Sequence, residues 1–281
     1  MKFLLDNVKM NRVICIALIL AFTTCSTKNL EWVALGDSIT YLNEHADETG
    51  SRITKGYMTR VVEALPHIRY INKGYNGWTA GDVAREIHNL DLKKADMYTI
   101  FLGTNDWWRG NTVGTMDDYQ NNTGVDTFFG SYRIIIDKLR ALNKDARMIL
   151  ITPMQRVDFV YTGDMKNNAY GSYREKNGQS LSDFARAVVG IGTHENLQVV
   201  DLYNNSGMTH ENMVRYKRLK DPETGAYKNF PYPDFIDVPF DPEKDEYPYP
   251  PDATHMTYDG LHPSDQGYEV ISRMLIEVIG K

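Results

Sequence analysis

Cysteine is nearly missing from this chain: its 281 residues hold two, Cys15 and Cys25. That scarcity excludes a disulfide framework, a thiolate metal site and a cysteine nucleophile from the body of the chain. A basic excess is missing too. Lysine and arginine number 31 against 37 acidic residues, for a formal charge of −6. Nucleic acid and anionic membrane surfaces reward basic patches, so neither is expected as the main partner. The one basic run, Lys217, Arg218 and Lys220, is followed by Asp221 and Glu223 and reads as a solvated loop. No apolar run reaches the ~20 residues needed to span a bilayer. No internal repeat and no separate second domain stand out.

The chain does have a short apolar run over residues 13–22, preceded by Arg12 and followed by Thr23, Thr24 and Cys25. A basic residue, about ten apolar residues and a small-residue exit make a secretory signal over residues 1–25. Cys25 after two small residues resembles a bacterial lipoprotein cleavage site, although Phe22 stands where an aliphatic residue is usual. A lipid anchor at Cys25 is preferred over an unmodified cysteine after the signal. Met10 is an alternative start that leaves a more conventional leader. The chain is therefore expected to be exported, to the periplasm or as a cell-envelope lipoprotein at the outer membrane or cell surface. Against that background the sequons at Asn121 and Asn204 read as incidental.

From residue 31 to 281 the sequence reads as a single domain. Short apolar strands are expected at 32–35, 69–72, 97–102, 148–151 and 197–202. Helical spacing marks 56–65, 80–90, 127–142, 178–191 and 264–279, the last with Ser264 as N-cap. Five strands alternating with helices predict an α/β fold of three layers, a parallel sheet covered on both faces. Ligands of such sheets bind beyond the carboxyl ends of the strands. Three stretches break the alternation, near 107–126, 155–177 and 203–258. The last carries most of the prolines, including Pro231, Pro233, Pro239 and Pro242. All three are expected to build walls around a site.

Four blocks sit where ligands of such a sheet would bind. Gly36-Asp37-Ser38 follows the first strand and leads into helix-favouring sequence, where free N–H groups favour a developing anion. Gly74-Tyr75-Asn76-Gly77 follows the second, and its glycines permit close approach to a ligand. Gly103-Thr104-Asn105-Asp106 follows the third and offers a side-chain amide. Asp259-Gly260-Leu261-His262 precedes the last helix, and its spacing lets a carboxylate fix the ring of the histidine. Taken singly, each block could be no more than a turn. A serine hydroxyl is a poor nucleophile until a base takes its proton. Of seven histidines, His262 has a carboxylate three residues before it in a glycine-containing turn. His255 is the runner-up, as a substrate contact or a structural loop residue. His194 and His210 are expected in loops with no role, and Asp37 and Asp106 are expected to brace their turns.

Together and in this order, the four blocks resemble the SGNH hydrolase family, also called GDSL esterases and lipases, over the scaffold from about residue 31 to the end but not the long insertions. The resemblance implies a flavodoxin-like five-stranded sheet and a carboxylic ester hydrolase. It implies Ser38 as nucleophile, His262 as general base and then acid, and Asp259 as the group that orients His262. It implies an oxyanion hole from the N–H groups of Ser38 and Gly77 and the side chain of Asn105, with no metal or organic cofactor. Trp78, Trp107 and Trp108 are expected to touch the substrate, with Tyr232, Tyr247 and Tyr249 nearby. Aromatics suit sugar rings, and the insertions mix them with charges and prolines rather than forming an apolar lid. The expected substrate is therefore a small or glycan ester, with acetyl the preferred acyl group. The alternatives are a lipase or phospholipase and, in another class, an inactive glycan-binding lipoprotein.

Overall fold

A computed structural model describes residues 29–281. The signal-peptide reading, with Cys15, Cys25 and both starts, lies outside the described residues. The strands in chain order are β1 (Leu30–Gly36), β2 (Ile68–Gly74), β3 (Met97–Phe101), β4 (Arg147–Ile151), β5 (Phe159–Val160), β6 (Asn168–Ala169), β7 (Gln198–Val200), β8 (Lys217–Lys220) and β9 (Tyr227–Phe230). The helices are α1 (Ser38–Tyr41), α2 (Tyr57–Ala64), α3 (Ala80–Glu86), α4 (Thr104–Arg109), α5 (Met116–Gln120), α6 (Phe128–Leu142), α7 (Leu181–Glu195), α8 (Leu202–Asn205) and α9 (Asp265–Ile279).

Five strands pair in parallel in the order β2-β1-β3-β4-β7. Winding reverses between β1 and β3, and the crevice beyond their carboxyl ends is where such sheets hold ligands. The strand pleat divides the core in two. Trp32 and Ala34 of β1 point into one cluster with Tyr57 and Val61 of α2 and Ile271 and Leu275 of α9. Val33 and Leu35 point the other way, into a cluster with Val83 of α3, Ile135 and Leu139 of α6 and Phe184 and Val188 of α7. The three-layer α/β expectation therefore holds. Burying each such side chain contributes about 1.5–3 kcal/mol. Central strand β3 is buried throughout, as a strand covered on both faces must be.

Local chemistry sets the helix boundaries. Ser264 does cap α9, accepting a hydrogen bond from the Gly267 N–H. Thr127 caps α6 through Gly130 in the same way. Some expected boundaries shift, and the helix expected over 178–191 runs as α7 from Leu181 to Glu195. The helix expected over 80–90 ends at Glu86, and the expected fifth strand stops at Val200 because Asp201 caps α8, drawing Leu202 into that helix. His194 lies in the last turn of α7 rather than in a loop.

The three irregular stretches differ in what they build. Residues 107–126 contain the end of α4 and all of α5. Residues 155–177 fold the hairpin β5–β6 beside the strand ends. The longest, 203–258, carries the hairpin β8–β9 and sends Met208, Met213, Leu219, Phe235 and Tyr249 into the α2–α9 core. It therefore fills core rather than walling the site, except at Tyr258.

Candidate active site

Ser38 opens α1 directly beyond β1. Asp37 caps that helix: its Oδ1 accepts the Ile39 N–H at 3.0 Å. The Ser38 N–H, in the first helical turn, has no acceptor within the helix. Underneath, the Tyr268 hydroxyl donates to the Ile39 carbonyl at 3.0 Å, fixing the turn to α9. Burial pushes the Asp37 carboxyl up to about 6, against the lowering pull of the Ile39 N–H and nearby His262. Asp37 braces the turn and makes no direct contact with the Ser38 hydroxyl.

His262 approaches from the other end of the chain. Its Nε2 lies 2.9 Å from Ser38 Oγ, and its Nδ1 lies 2.7 Å from Asp259 Oδ2. The other carboxylate oxygen of Asp259 accepts the backbone N–H groups of Leu261 at 3.0 Å and His262 at 2.7 Å. A carboxylate at Nδ1 holds the proton there and leaves Nε2 as the acceptor that faces the serine. Tyr258 stacks on the imidazole and Phe159 meets it edge-on, so the ring has little freedom to swing. The turn is tied to β5 and the residues before it: Val157 N–H donates to the Gly260 carbonyl at 3.0 Å and Val160 N–H to the Asp259 carbonyl at 3.1 Å. That proximity explains the glycine. Gly260 has φ +91, and a Cβ there would sit 1.9 Å from the Asp158 carbonyl oxygen.

Opposite the histidine are Gly77 and Asn105. Gly77 adopts φ +72, a left-handed conformation that glycine tolerates. Its carbonyl accepts Arg109 Nη2 at 2.6 Å, and among the described residues its N–H finds no acceptor. Asn105 Nδ2 donates one hydrogen to the Trp78 carbonyl at 3.0 Å, which orients the amide. Ser38, Gly77, Asn105 and His262 all line one cavity of about 390 Å³. Its size falls within the ~300–1,000 Å³ usual for small-molecule sites.

Asp106 braces the second and third blocks against each other. Its carboxylate accepts the Ala80 N–H at 3.0 and 3.1 Å and so holds the start of α3. Burial pushes this carboxyl from its ordinary 3.8 up to about 7, despite the hydrogen bonds from Ala80 and Asn111. The folded state therefore holds a proton that the unfolded chain has released, so stability falls as pH rises from about 4 to about 7. Asp106→Asn keeps an oxygen acceptor and cannot ionise. Between pH 5 and pH 8 the variant is expected to gain on the parent by on the order of 1–3 kcal/mol. Thermal unfolding at both pH values checks this, and a difference that ignores pH contradicts it.

The aromatic expectations need correction. Trp107 does not line the cavity: it is fully buried, and its indole N–H donates to the Gln179 carbonyl at 3.2 Å. Trp78 stacks on Tyr75 and faces a separate shallow depression with Asp82, Arg85 and Glu86. Tyr249 is buried, the Tyr247 hydroxyl donates to the Val160 carbonyl, and Tyr232 packs on His210 and Phe235. Of the residues expected, Trp108 does line the cavity, joined by Phe159, Tyr161 and Tyr258. His255 stays outside, its Nδ1–H donating to the Asn212 carbonyl at 2.6 Å. Sequence reasoning also missed Arg156, which lines the cavity beyond β4. Its only signal was position, a charge a few residues past the carboxyl end of a sheet strand.

Residues 34–270 match the model of the GDSL-like lipase/acylhydrolase family. A crystal structure described as that of "a possible lipase" from Chitinophaga pinensis is 58% identical, covering 89% of this chain and 98% of that one, with a TM-score of 0.89. A protein from Lactobacillus plantarum shares the fold at 20% identity over 90% of this chain and 97% of its own, TM-score 0.61. So does an acetylxylan esterase from Geobacillus stearothermophilus at 21% identity over 90% and 95%, TM-score 0.52. Among curated proteins, none matches. The family model spans most of the chain, the five-stranded sheet has the family's form, and the chain therefore belongs to the GDSL-like lipase/acylhydrolase family, hydrolases of ester bonds.

Proposed function

We propose that this chain is a serine acylesterase that removes short acyl groups, acetyl foremost, from carbohydrate esters. The observation that carries the mechanism is the relay Ser38–His262–Asp259 opening on one cavity. His262 Nε2 takes the hydroxyl proton as Ser38 Oγ attacks the ester carbonyl. The tetrahedral oxyanion is held by the N–H groups of Ser38 and Gly77 and by the remaining Nδ2 hydrogen of Asn105. The C–O bond to the alcohol then breaks, and His262 gives its proton to the departing oxygen. Water, deprotonated by the same nitrogen, attacks the acyl-serine and releases the acid.

Support for a sugar comes from the lining, which sets the rings of Trp108, Phe159, Tyr161 and Tyr258 among Asn76, Asn167 and Glu48. Flat rings stack on pyranose faces while polar groups take the hydroxyls. The resemblance to the "possible lipase" favours a second reading, a lipase or phospholipase. The inactive glycan-binding alternative has no support from a family of ester hydrolases. Export with lipidation at Cys25 is part of the proposal. Mass analysis of the protein recovered from its host membranes is expected to show an acylated Cys25 as N-terminus.

Rates on 4-nitrophenyl acetate, butyrate and octanoate, beside release of acetate from acetylated oligosaccharides, test the substrate reading. Preference for acetate and release from sugar supports it, whereas rates that rise with chain length favour the lipase. Asn105→Ala is expected to lower kcat about 10²–10³-fold with little change in KM, the usual worth of one oxyanion donor. Steady-state kinetics on 4-nitrophenyl acetate checks it, and an unchanged kcat removes Asn105 from the oxyanion hole.

A further inference from the structure

Arg156 is 1% exposed, yet its place is beside the cavity, between Trp108 and Phe159. A guanidinium withdrawn from water ordinarily has a carboxylate partner, because an unpaired buried charge is costly. Arg156 has none. Two carboxylates, Asp158 and Asp259, lie near enough to act on it electrostatically. Both are already occupied. Asp158 accepts Lys217 Nζ at 2.8 Å, the Gly171 N–H at 2.9 Å and the Tyr173 hydroxyl. Asp259 is taken up by His262 and Leu261. Among the described residues Arg156 makes one side-chain hydrogen bond, from Nη2 to the Tyr170 carbonyl at 3.1 Å, and its Nε is buried with no partner.

Aromatic rings compensate in part. The guanidinium carbon lies 5.6 Å from the Trp107 and Trp108 ring centres and 5.9 Å from that of Phe159. These rings hold the charge in place without neutralising it. They also explain why Trp107 is buried: it forms part of the cradle of this arginine. The other charges on the lining are engaged. Arg109 bonds to Asp82 and the Gly77 carbonyl, and Glu48 accepts the Tyr41 hydroxyl at 2.8 Å and lies 3.4 Å from His45.

We propose that Arg156 is a specificity-determining residue that recognises an anionic substituent, a carboxylate above all, on the ester cleaved at Ser38. This rests on the acylesterase reading of the same cavity. The carboxylate could be on the alcohol, as in an acetylated uronic acid, or on the acyl group, as in a hemiester of a dicarboxylic acid. Both present the planar oxygen pair that a guanidinium fork matches.

Matched substrates separate the two sources. In one arm, acetylated methyl galacturonoside is compared with acetylated methyl galactoside. In the other, 4-nitrophenyl hemisuccinate is compared with 4-nitrophenyl butyrate. The charged member of at least one pair is expected to show a higher kcat/KM by about 10–100-fold, the worth of a hydrogen bond to a charged group. Arg156→Gln is expected to bring that ratio to near one, and Arg156→Lys to keep part of it. The ratio is internal to each enzyme, so a variant with lower overall activity still reports, and the wild-type comparison stands if a variant fails to fold. No charge preference in either arm overturns the proposal. If neither arm shows a charge preference but both galactosides are cleaved, the proposal fails while the carbohydrate esterase reading stays intact. Charge preference confined to the 4-nitrophenyl pair, with neither sugar cleaved, upholds Arg156 and removes the carbohydrate reading.

Discussion

Ser38→Ala is expected to abolish ester hydrolysis, with kcat falling about 10⁶-fold, while the fold stays intact. Loss of the nucleophile in a serine hydrolase leaves only what positioning and the oxyanion hole can do for attack by water. The structure gives reason to expect so clean a separation. Ser38 is half-buried on the cavity lining, and among the described residues its side chain makes one hydrogen bond, to His262. Removing one oxygen there creates no closed void and strands no buried donor, because His262 Nε2 borders the cavity. Stability should change by less than about 1 kcal/mol, as for substitutions away from the core. Steady-state rates on 4-nitrophenyl acetate and thermal unfolding of the same samples check both halves. Residual activity within tenfold of wild type contradicts the assignment.

Asp259→Asn is expected to lower kcat about 10⁴-fold, and for a different reason. Asp259 is fully buried and accepts three N–H groups. In the variant the amide oxygen can still serve the two backbone donors, which preserves the turn. The amide nitrogen then faces His262 Nδ1 and donates to it, forcing the ring proton onto Nε2. The imidazole can no longer accept the proton of Ser38. Loss of the carboxylate also withdraws the negative charge that stabilises imidazolium during attack. The check is kcat across pH 6 to 9 together with an unfolding curve, since Asp259→Ala would remove the turn acceptors as well and confound the two effects. A loss below tenfold would reduce Asp259 to a brace and point to another group as the orienter.

Local periodicity and tertiary packing leave different traces in the sequence. The sheet was legible because each strand is a short apolar run and each helix has one apolar face, patterns set by local geometry. The positions of Ser38, Gly77, Asn105 and His262 were legible because each lies in a turn next to a regular element, and the sheet brings strand ends together. The cavity walls obey no such rule. Trp107 and Trp108 are neighbours in sequence, but on α4 they differ by about 100° in direction. One enters the core and the other the cavity, and which does so depends on the packing of α7 and the hairpin β5–β6. Tyr247 and Tyr249 looked like site aromatics from composition, yet the 203–258 segment uses them to fill core around Asp158. Arg156 carries no periodic signal, since the absence of a counter-ion is a property of three-dimensional neighbours.

One measurement bears most directly on the central claim that Ser38 is the activated nucleophile of an ester hydrolase. The wild-type protein is treated with an uncharged alkyl fluorophosphonate, digested and read by mass spectrometry. The account predicts a single stoichiometric adduct on the peptide carrying Ser38, with its formation slowed at least about 10³-fold in His262→Ala, because the hydroxyl then lacks its base. An adduct on another residue, or labelling of Ser38 at an unchanged rate without His262, would contradict it.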